Sequence, residues 1–148
     1  MAIQQAVANS FKKELLEGEH KFQFGASGDN FKLALYVSTA TLNSATTAYT
    51  TTGEVAASGQ YTAGGGALVK PNPSTSVASG VAIVDFADLS FTGVTITARG
   101  ALIYNTSSSN AAVAVLDFGA DKTATSGTFT IQFPNFTTSA AILRIGNA

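Results

Sequence analysis

Four aspartates lie in two similar short segments and are, by type and spacing, the residues best suited to bind a metal ion. Asp85 and Asp88 belong to one segment, and Asp117 and Asp121 to the other. Each segment begins with Asp-Phe at a predicted strand end, and two such ends meeting could offer carboxylate oxygens to Ca²⁺. Neither matches the calcium loop of an EF-hand. Aspartates at strand ends ordinarily cap turns through their own backbone, so we expect no metal and no cofactor.

His20 is the only histidine, so any acid–base chemistry that uses an imidazole must depend on it. It follows a predicted helix end, where a cation is favourable because of the helix dipole. Serine is too frequent along the chain for a match to a serine-histidine-aspartate constellation to be informative. We therefore expect a structural histidine and no enzyme activity.

Charged residues make up only 11% of the 148 residues, and the formal net charge is −1. Clustered lysines and arginines, which phosphate-driven nucleic-acid binding needs, are missing, so no nucleic-acid partner is expected. The absence of cysteine excludes a disulfide framework and a cysteine-ligated zinc site. The first ten residues lack the features of a secretory signal, and the uncharged run 33–53 is too polar for a membrane span. We expect no membrane partner.

The N-terminal region, residues 1–30, contains seven of the 17 charged side chains and predicts one short helix. Asn9 or Ser10 is a suitable N-cap for a helix over 11–17, and Gly18 a suitable left-handed residue to end it. The period then changes at 31–37, where alternating apolar residues predict a half-buried strand. Residues 1–30 are thus interpreted as an arm, and 31–148 as the body of a single domain.

The stretch from 39 to about 80 is dominated by Thr, Ala, Ser and Gly and predicts long loops that pack on neighbouring subunits. Edge strands around 54–61 and 67–70 are an alternative for part of it. The glycine triplet at 64–66 fits neither a dinucleotide-binding nor a phosphate-binding loop, and is interpreted as a flexible connector.

The second half predicts a series of short strands. They cover 81–86, 89–96, 98–104, 111–118, 129–133 and 141–145, with a bulge at Gly93 and a hairpin turn at 105–110. Together these segments predict a mainly β protein, an antiparallel β-sandwich or jelly-roll-like barrel with one short N-terminal helix.

Seven blocks of the sequence carry a likeness to known proteins: SFKKELLEGEH (10–20), FKLALY (31–36), YTTTGEV (49–55), GQYTAGG (59–65), DFAD (85–88), TARGALIYN (97–105) and AVAVLDFG (112–119). In this order they resemble a family of small virion structural proteins of tailed bacteriophages, and the likeness covers about residues 10–145. The resemblance implies a head decoration (cement) protein without catalytic residues. Such a protein is assembled in the host cytoplasm and binds the major capsid protein on the outer capsid surface of the virion.

This role implies extensive contacts with other subunits and would explain the low charge. We expect the protein to associate with itself, with a homotrimer favoured and a dimer next. The residues expected at interfaces are Phe11, Leu15, Leu16, Tyr49, Tyr61, Leu68 and Val69. Two alternatives stay open: a tail or baseplate component such as a tube, adaptor or fibre base, and a host-surface binding module that uses the aspartate turns with Ca²⁺ to hold carbohydrate.

Overall fold

The predicted mainly β fold is confirmed, because strands account for 45% of the chain and helix for 6%. The computed structural model describes residues 2–146. Its elements are β1 (Ala6–Val7), α1 (Asn9–Leu16), β2 (Phe31–Tyr36), β3 (Gly66–Ala67), β4 (Thr75–Ala78), β5 (Val81–Val84), β6 (Leu89–Asn105), β7 (Ala111–Ile131) and β8 (Leu143–Ile145). They form a five-stranded sheet in the order β1-β7-β6-β2-β3 and a three-stranded sheet in the order β4-β5-β8. Both sheets are antiparallel, in a β-sandwich-like arrangement with one short helix near the N-terminus.

A long hairpin, β6 and β7, is the centre of the larger sheet. The hairpin and its turn are as predicted, but each strand is continuous where the sequence pattern predicts two. The reason is that bulges bend these strands without ending them. The predicted bulge at Gly93 is present between Phe91 and Val94, and further register shifts follow toward the turn.

The central strand β2 is buried on both faces, whereas its alternation predicts a half-buried strand. One face carries Phe31, which stacks on Phe22 of the N-terminal region with ring centroids 4.6 Å apart. The other face carries Tyr36, whose hydroxyl donates to the carbonyl of Thr50 in the following loop. Small side chains such as Ala34 follow the period of an exposed face but lie beneath this loop.

The N-terminal region packs against the body, and Ile3, Phe11 and Phe22 belong to the same buried cluster as the strands. Helix α1 begins earlier than predicted, and both predicted N-caps, Asn9 and Ser10, are wrong. Its N-cap is Ala8, which has an extended backbone and makes no side-chain capping bond. Gly18 has φ +81° just after the helix, as predicted.

The stretch 39–80 contains two short strands besides its loops. Of the predicted edge strands, 54–61 contributes only isolated bridges, and the second is reduced to β3. Strand β4 was not predicted, because its sequence Thr-Ser-Val-Ala has no alternation of large apolar residues. No helix in residues 2–146 is long and apolar enough to cross a membrane.

The glycine triplet is a site of close approach, and its interpretation as a flexible connector is wrong. A Cβ placed on Gly65 would lie 1.8 Å from the carbonyl oxygen of Leu33 in β2. Gly65 also has φ +77°, which side chains disfavour. Glycine at this position therefore allows the loop to join the sheet edge, where Gly66 pairs with Leu33.

Candidate functional site

The structure separates the two aspartate segments that were considered for Ca²⁺. Asp117 lies within β7 opposite Gly100, whereas Asp88 immediately precedes β6, at the other end of that strand. Ten residues of β6 lie between Leu89 and Gly100, which corresponds to roughly 30 Å along a bulged strand. Among residues 2–146, no group of three His, Asp or Glu side chains is arranged to hold a metal ion.

Two of these aspartates accept hydrogen bonds from within the chain, and a third is partly buried. Asp117 Oδ1 accepts the Gly119 N–H at 2.8 Å, as expected of an aspartate turn, and also binds Arg99 Nε at 3.1 Å. These two bonds, the backbone one first, lower the pKa of Asp117. Asp88 Oδ1 accepts the Phe133 N–H at 2.8 Å. Burial raises the pKa of Asp85, and the neighbouring Asp88 adds to that effect.

His20 is structural in this fold. Its side chain is buried, with Nε2 2.7 Å from Glu14 Oε2 and Nδ1 3.0 Å from Asn105 Nδ2. The Asn105 amide also donates to Asp29 Oδ2 at 2.8 Å and accepts the Ser107 N–H at 2.9 Å, so its orientation is fixed. Nδ1 of His20 must therefore accept, and Nε2–H donates to Glu14. Both ring nitrogens are used within the chain.

The expected interface residues divide into buried and exposed groups. Phe11, Tyr61 and Leu68 are buried within the chain's own core, so most of their surface is already covered. Tyr49 is half-buried and donates to Glu54 Oε2 at 2.6 Å. Three residues lie at the surface or beside it: Leu15, which is half-buried, Leu16, 91% exposed, and Val69, 63% exposed.

An apolar groove of about 420 Å³ separates α1 from the three-stranded sheet and contains the most exposed of these side chains. Its two walls carry Phe11, Leu15, Leu16, Val84, Leu143 and Ile145. The charged residues that line it are Lys12 and Arg144, and no acidic side chain in the described chain joins them. The groove therefore suits an apolar segment of another protein with an acidic residue beside it.

A second concavity, a cleft of about 520 Å³, lies along the outer part of β7 and the segment after it. It combines aromatic rings with polar side chains, among them Phe118, Phe129, Phe133, Gln5, Asp117 and Gln132. Phe118 and Phe129 have ring centroids 6.2 Å apart. Apolar rings with a few polar groups are typical of small-molecule sites.

All four tyrosines of the chain meet around Glu54, a cluster that sequence reasoning missed. Glu54 Oε1 accepts the Tyr61 hydroxyl and the Gly64 N–H, both at 2.7 Å. Tyr49 stacks on Tyr104 with ring centroids 4.8 Å apart. Burial, followed by the charge of Glu54, raises the pKa of Tyr104 to about 12. Every bond in the cluster is internal, so we assign it to holding the loop on the sheet.

Comparisons of this chain with protein-family models, with curated proteins and with solved structures found no match.

Proposed function

We propose that the protein is a non-enzymatic structural component of a tailed-bacteriophage virion. Its role in this proposal is that of a head decoration protein, which binds the major capsid protein on the outer capsid surface and stabilises the shell. The sequence resemblance supports the assignment to a virion. The internal use of both nitrogens of His20, the only histidine, supports a non-enzymatic role.

The observation that carries the binding role is the apolar groove beside α1. Leu16 is 91% exposed. Covering its side chain with a partner would therefore contribute hydrophobic free energy to binding. Leu16 lies on a groove wall opposite Ile145, which is 59% exposed. An apolar groove of this kind is typical of a surface that another protein covers.

Charge on the groove further defines the partner segment. Lys12 donates to Asn9 on its own helix, and Arg144 donates to the carbonyls of Thr138 and Ser139. Both side chains thus keep their charge at the groove without a bonded carboxylate in the described chain. We propose that an apolar segment of the major capsid protein occupies the groove and places an acidic residue near these cations.

Electron cryomicroscopy of the intact virion tests the location. Density for this chain on the outer surface of the shell is the expected result. Density in the tail tube or baseplate would instead establish the tail-component alternative, and the absence of density from the particle would overturn both proposals.

Binding of the purified protein to expanded shells that lack it tests the groove. Leu16→Asp should weaken binding by at least tenfold, because a carboxylate would be buried against apolar walls and the partner's acidic residue. Phe24→Asp is the matched control, since Phe24 is also exposed but does not line the groove. Equal loss in both variants would contradict a specific role for the groove.

The cleft along β7 favours a second candidate function, a host-surface module that binds a neutral saccharide. Its phenylalanine rings could lie against apolar sugar faces, and Gln5 and Gln132 could bond hydroxyls. Because the aspartate segments lie apart, this version requires no Ca²⁺. Retention on host envelopes that Phe118→Ala abolishes and chelators leave unchanged would support it, and no retention would contradict it.

A further inference from the structure

The three-stranded sheet ends in an edge strand, β4, whose hydrogen-bonding phase can be assigned. Strands β4 and β5 pair with Thr75 opposite Val84 and Ala78 opposite Val81. In the same register, the Asp85 N–H donates to the Ser74 carbonyl at 2.8 Å. Backbone groups alternate in direction along a strand, so Ser76 and Ala78 also bond toward β5. Thr75 and Val77 therefore direct their N–H and C=O groups away from the sheet.

Apart from its short length of four residues, this open edge lacks the usual protection against strand pairing. All four residues of β4 are exposed, and Val77 is 71% exposed. The strand contains no proline and no charge, and its pairing with β5 shows no bulge. Exposed edge strands in native proteins are generally blunted by one of these devices or covered by another segment.

The charge pattern indicates what kind of strand fits there. No charged residue occurs between Lys70 and Asp85. A two-fold axis places only the residues closest to it near their own symmetry mates, so a charge at such a position would be repelled by its own copy. A neutral edge of this length meets that condition for a second copy of the same chain.

We propose that β4 pairs antiparallel with β4 of a second copy, about a two-fold axis that passes between the two Ser76 residues. Thr75 of each copy then lies opposite Val77 of the other copy. The N–H and C=O groups of both residues, four groups on each strand, are thereby hydrogen-bonded across the axis. The two three-stranded sheets become one six-stranded sheet. The proposed contact involves only copies of this chain and no capsid protein, so it does not rest on the proposed function.

The same geometry limits the strength of the contact. A stable interface buries about 800 Å² on each partner, more than a four-residue strand edge supplies. We therefore expect a weak dimer in free solution, which would strengthen wherever copies are held side by side. A two-fold contact also selects the dimer over the trimer that was favoured from the sequence.

Single-cysteine variants test the register directly, because the chain has no cysteine of its own. Residues opposite each other without mutual bonds have Cα atoms about 4.5 Å apart, which a disulfide can bridge. Ser76→Cys should give a covalent dimer under mild oxidation. Ala78→Cys is the matched control on the same face of the same strand, with its symmetry mate about 14 Å away. Comparable cross-linking of both variants, or none in Ser76→Cys, would overturn the proposal.

Sedimentation equilibrium of the full chain provides an independent measurement. Val77→Pro removes an outward N–H without touching a bond to β5, so two of the four backbone hydrogen bonds are lost and the dimer dissociation constant should rise roughly 30-fold. Val77→Thr keeps the N–H and should associate like the parent.

Ala82→Lys distinguishes edge pairing from packing of sheet faces. Ala82 is exposed and faces the same way as Val77, but it lies on the central strand β5. The variant should leave dimerisation unchanged. Dissociation caused by Ala82→Lys, a trimer in the parent, or a parent that stays monomeric at all concentrations would contradict the proposal.

Discussion

The Tyr61 hydroxyl donates to Glu54 Oε1 at 2.7 Å and accepts the Leu35 N–H of β2 at 2.8 Å. A single phenol thus connects a loop carboxylate to the backbone of a central strand. The Leu35 N–H is buried, so the phenol supplies a partner that it cannot obtain from water. The loop is bonded to the sheet through this residue.

Tyr61→Phe should destabilise the fold by about 1–3 kcal/mol, because it removes the bonding partner of the buried Leu35 N–H. Tyr49→Phe is the matched control. It loses only one bond to Glu54, at a half-buried position, and should cost about 1 kcal/mol or less. Urea unfolding monitored by circular dichroism measures both values, and equal losses would contradict the special role of Tyr61.

The fold should lose stability as the pH rises above 10. Burial, followed by contacts that include Glu54, raises the pKa of Tyr104 to about 12 and that of Tyr61 further. The usual tyrosine pKa is 10.0, so unfolded chains release these protons first. The stabilising contribution is complete below pH 10 and disappears as the pH rises through the folded values. Near-ultraviolet absorbance should show tyrosine ionisation coinciding with unfolding, and separate ionisation near pH 10 would refute this.

Gly65→Ala should destabilise the protein by about 2–4 kcal/mol, since its Cβ would overlap the Leu33 carbonyl and its φ is positive. Gly18→Ala is the matched control. Its φ is also positive, but nothing lies within 4 Å of the added carbon, so it should cost only about 1 kcal/mol. Thermal unfolding gives both values, and similar costs would show that close approach does not matter at Gly65.

Asn105→Ala should cost about 2–4 kcal/mol, because it leaves the buried Nδ1 of His20 without a donor and removes a bond to the half-buried Asp29. Ser108→Ala removes the nearby exposed bond to Glu19 and should change stability by less than about 0.5 kcal/mol. Denaturant titrations of both variants provide the comparison. An equally small loss of unfolding free energy in Asn105→Ala and Ser108→Ala would show that the hydrogen bonds of Asn105 do not stabilise the fold.

Asp85→Asn should raise the melting temperature at neutral pH. Burial raises the pKa of Asp85 above its usual 3.8, so its charged form opposes folding. The difference from the parent should vanish below pH 3.8, where the carboxyl is protonated in both states. Melting curves across this range measure the effect.

Asp117→Asn should behave in the opposite way. Bonds from Gly119 and Arg99 lower the pKa of Asp117, so its charge favours the fold above pH 3.8. The stabilisation is lost as the pH falls through the lower, folded pKa. This variant should therefore melt earlier than the parent at neutral pH, and shifts of the same sign in both aspartate variants would contradict the assignments.

Local patterns predicted the fold class, the hairpin, the bulge at Gly93 and the helix end at Gly18. They did so because each depends on neighbouring residues: alternation, a polar turn or a glycine with positive φ. Strand length was not predictable in the same way. Gly119 and Ser126, both with positive φ, resemble strand ends, yet they form irregularities inside β7.

The tyrosine cluster and the groove depend on tertiary contacts that no local pattern contains. Glu54 is an isolated acid among small residues, and its partners are known only once the loop is folded back. Leu16 was expected at an interface, but Leu68 and Tyr61 were expected there too and are buried. The sequence pattern around an apolar loop residue is the same whether that residue contacts a partner protein or the chain's own core.

The unequal spacing of strand pairs along the chain sets an order of folding events. Strands β6 and β7 are joined by five residues, whereas Ala6 of β1 pairs with Val115, 109 positions later in the chain. Closing a short loop costs less entropy than closing a long one, so the hairpin should form early and β1 should dock late. During synthesis, the N-terminal segment emerges first but must wait for its partner strand. Its apolar residues lack their strand partners in that interval, and exposed apolar surface of this kind is prone to aggregation.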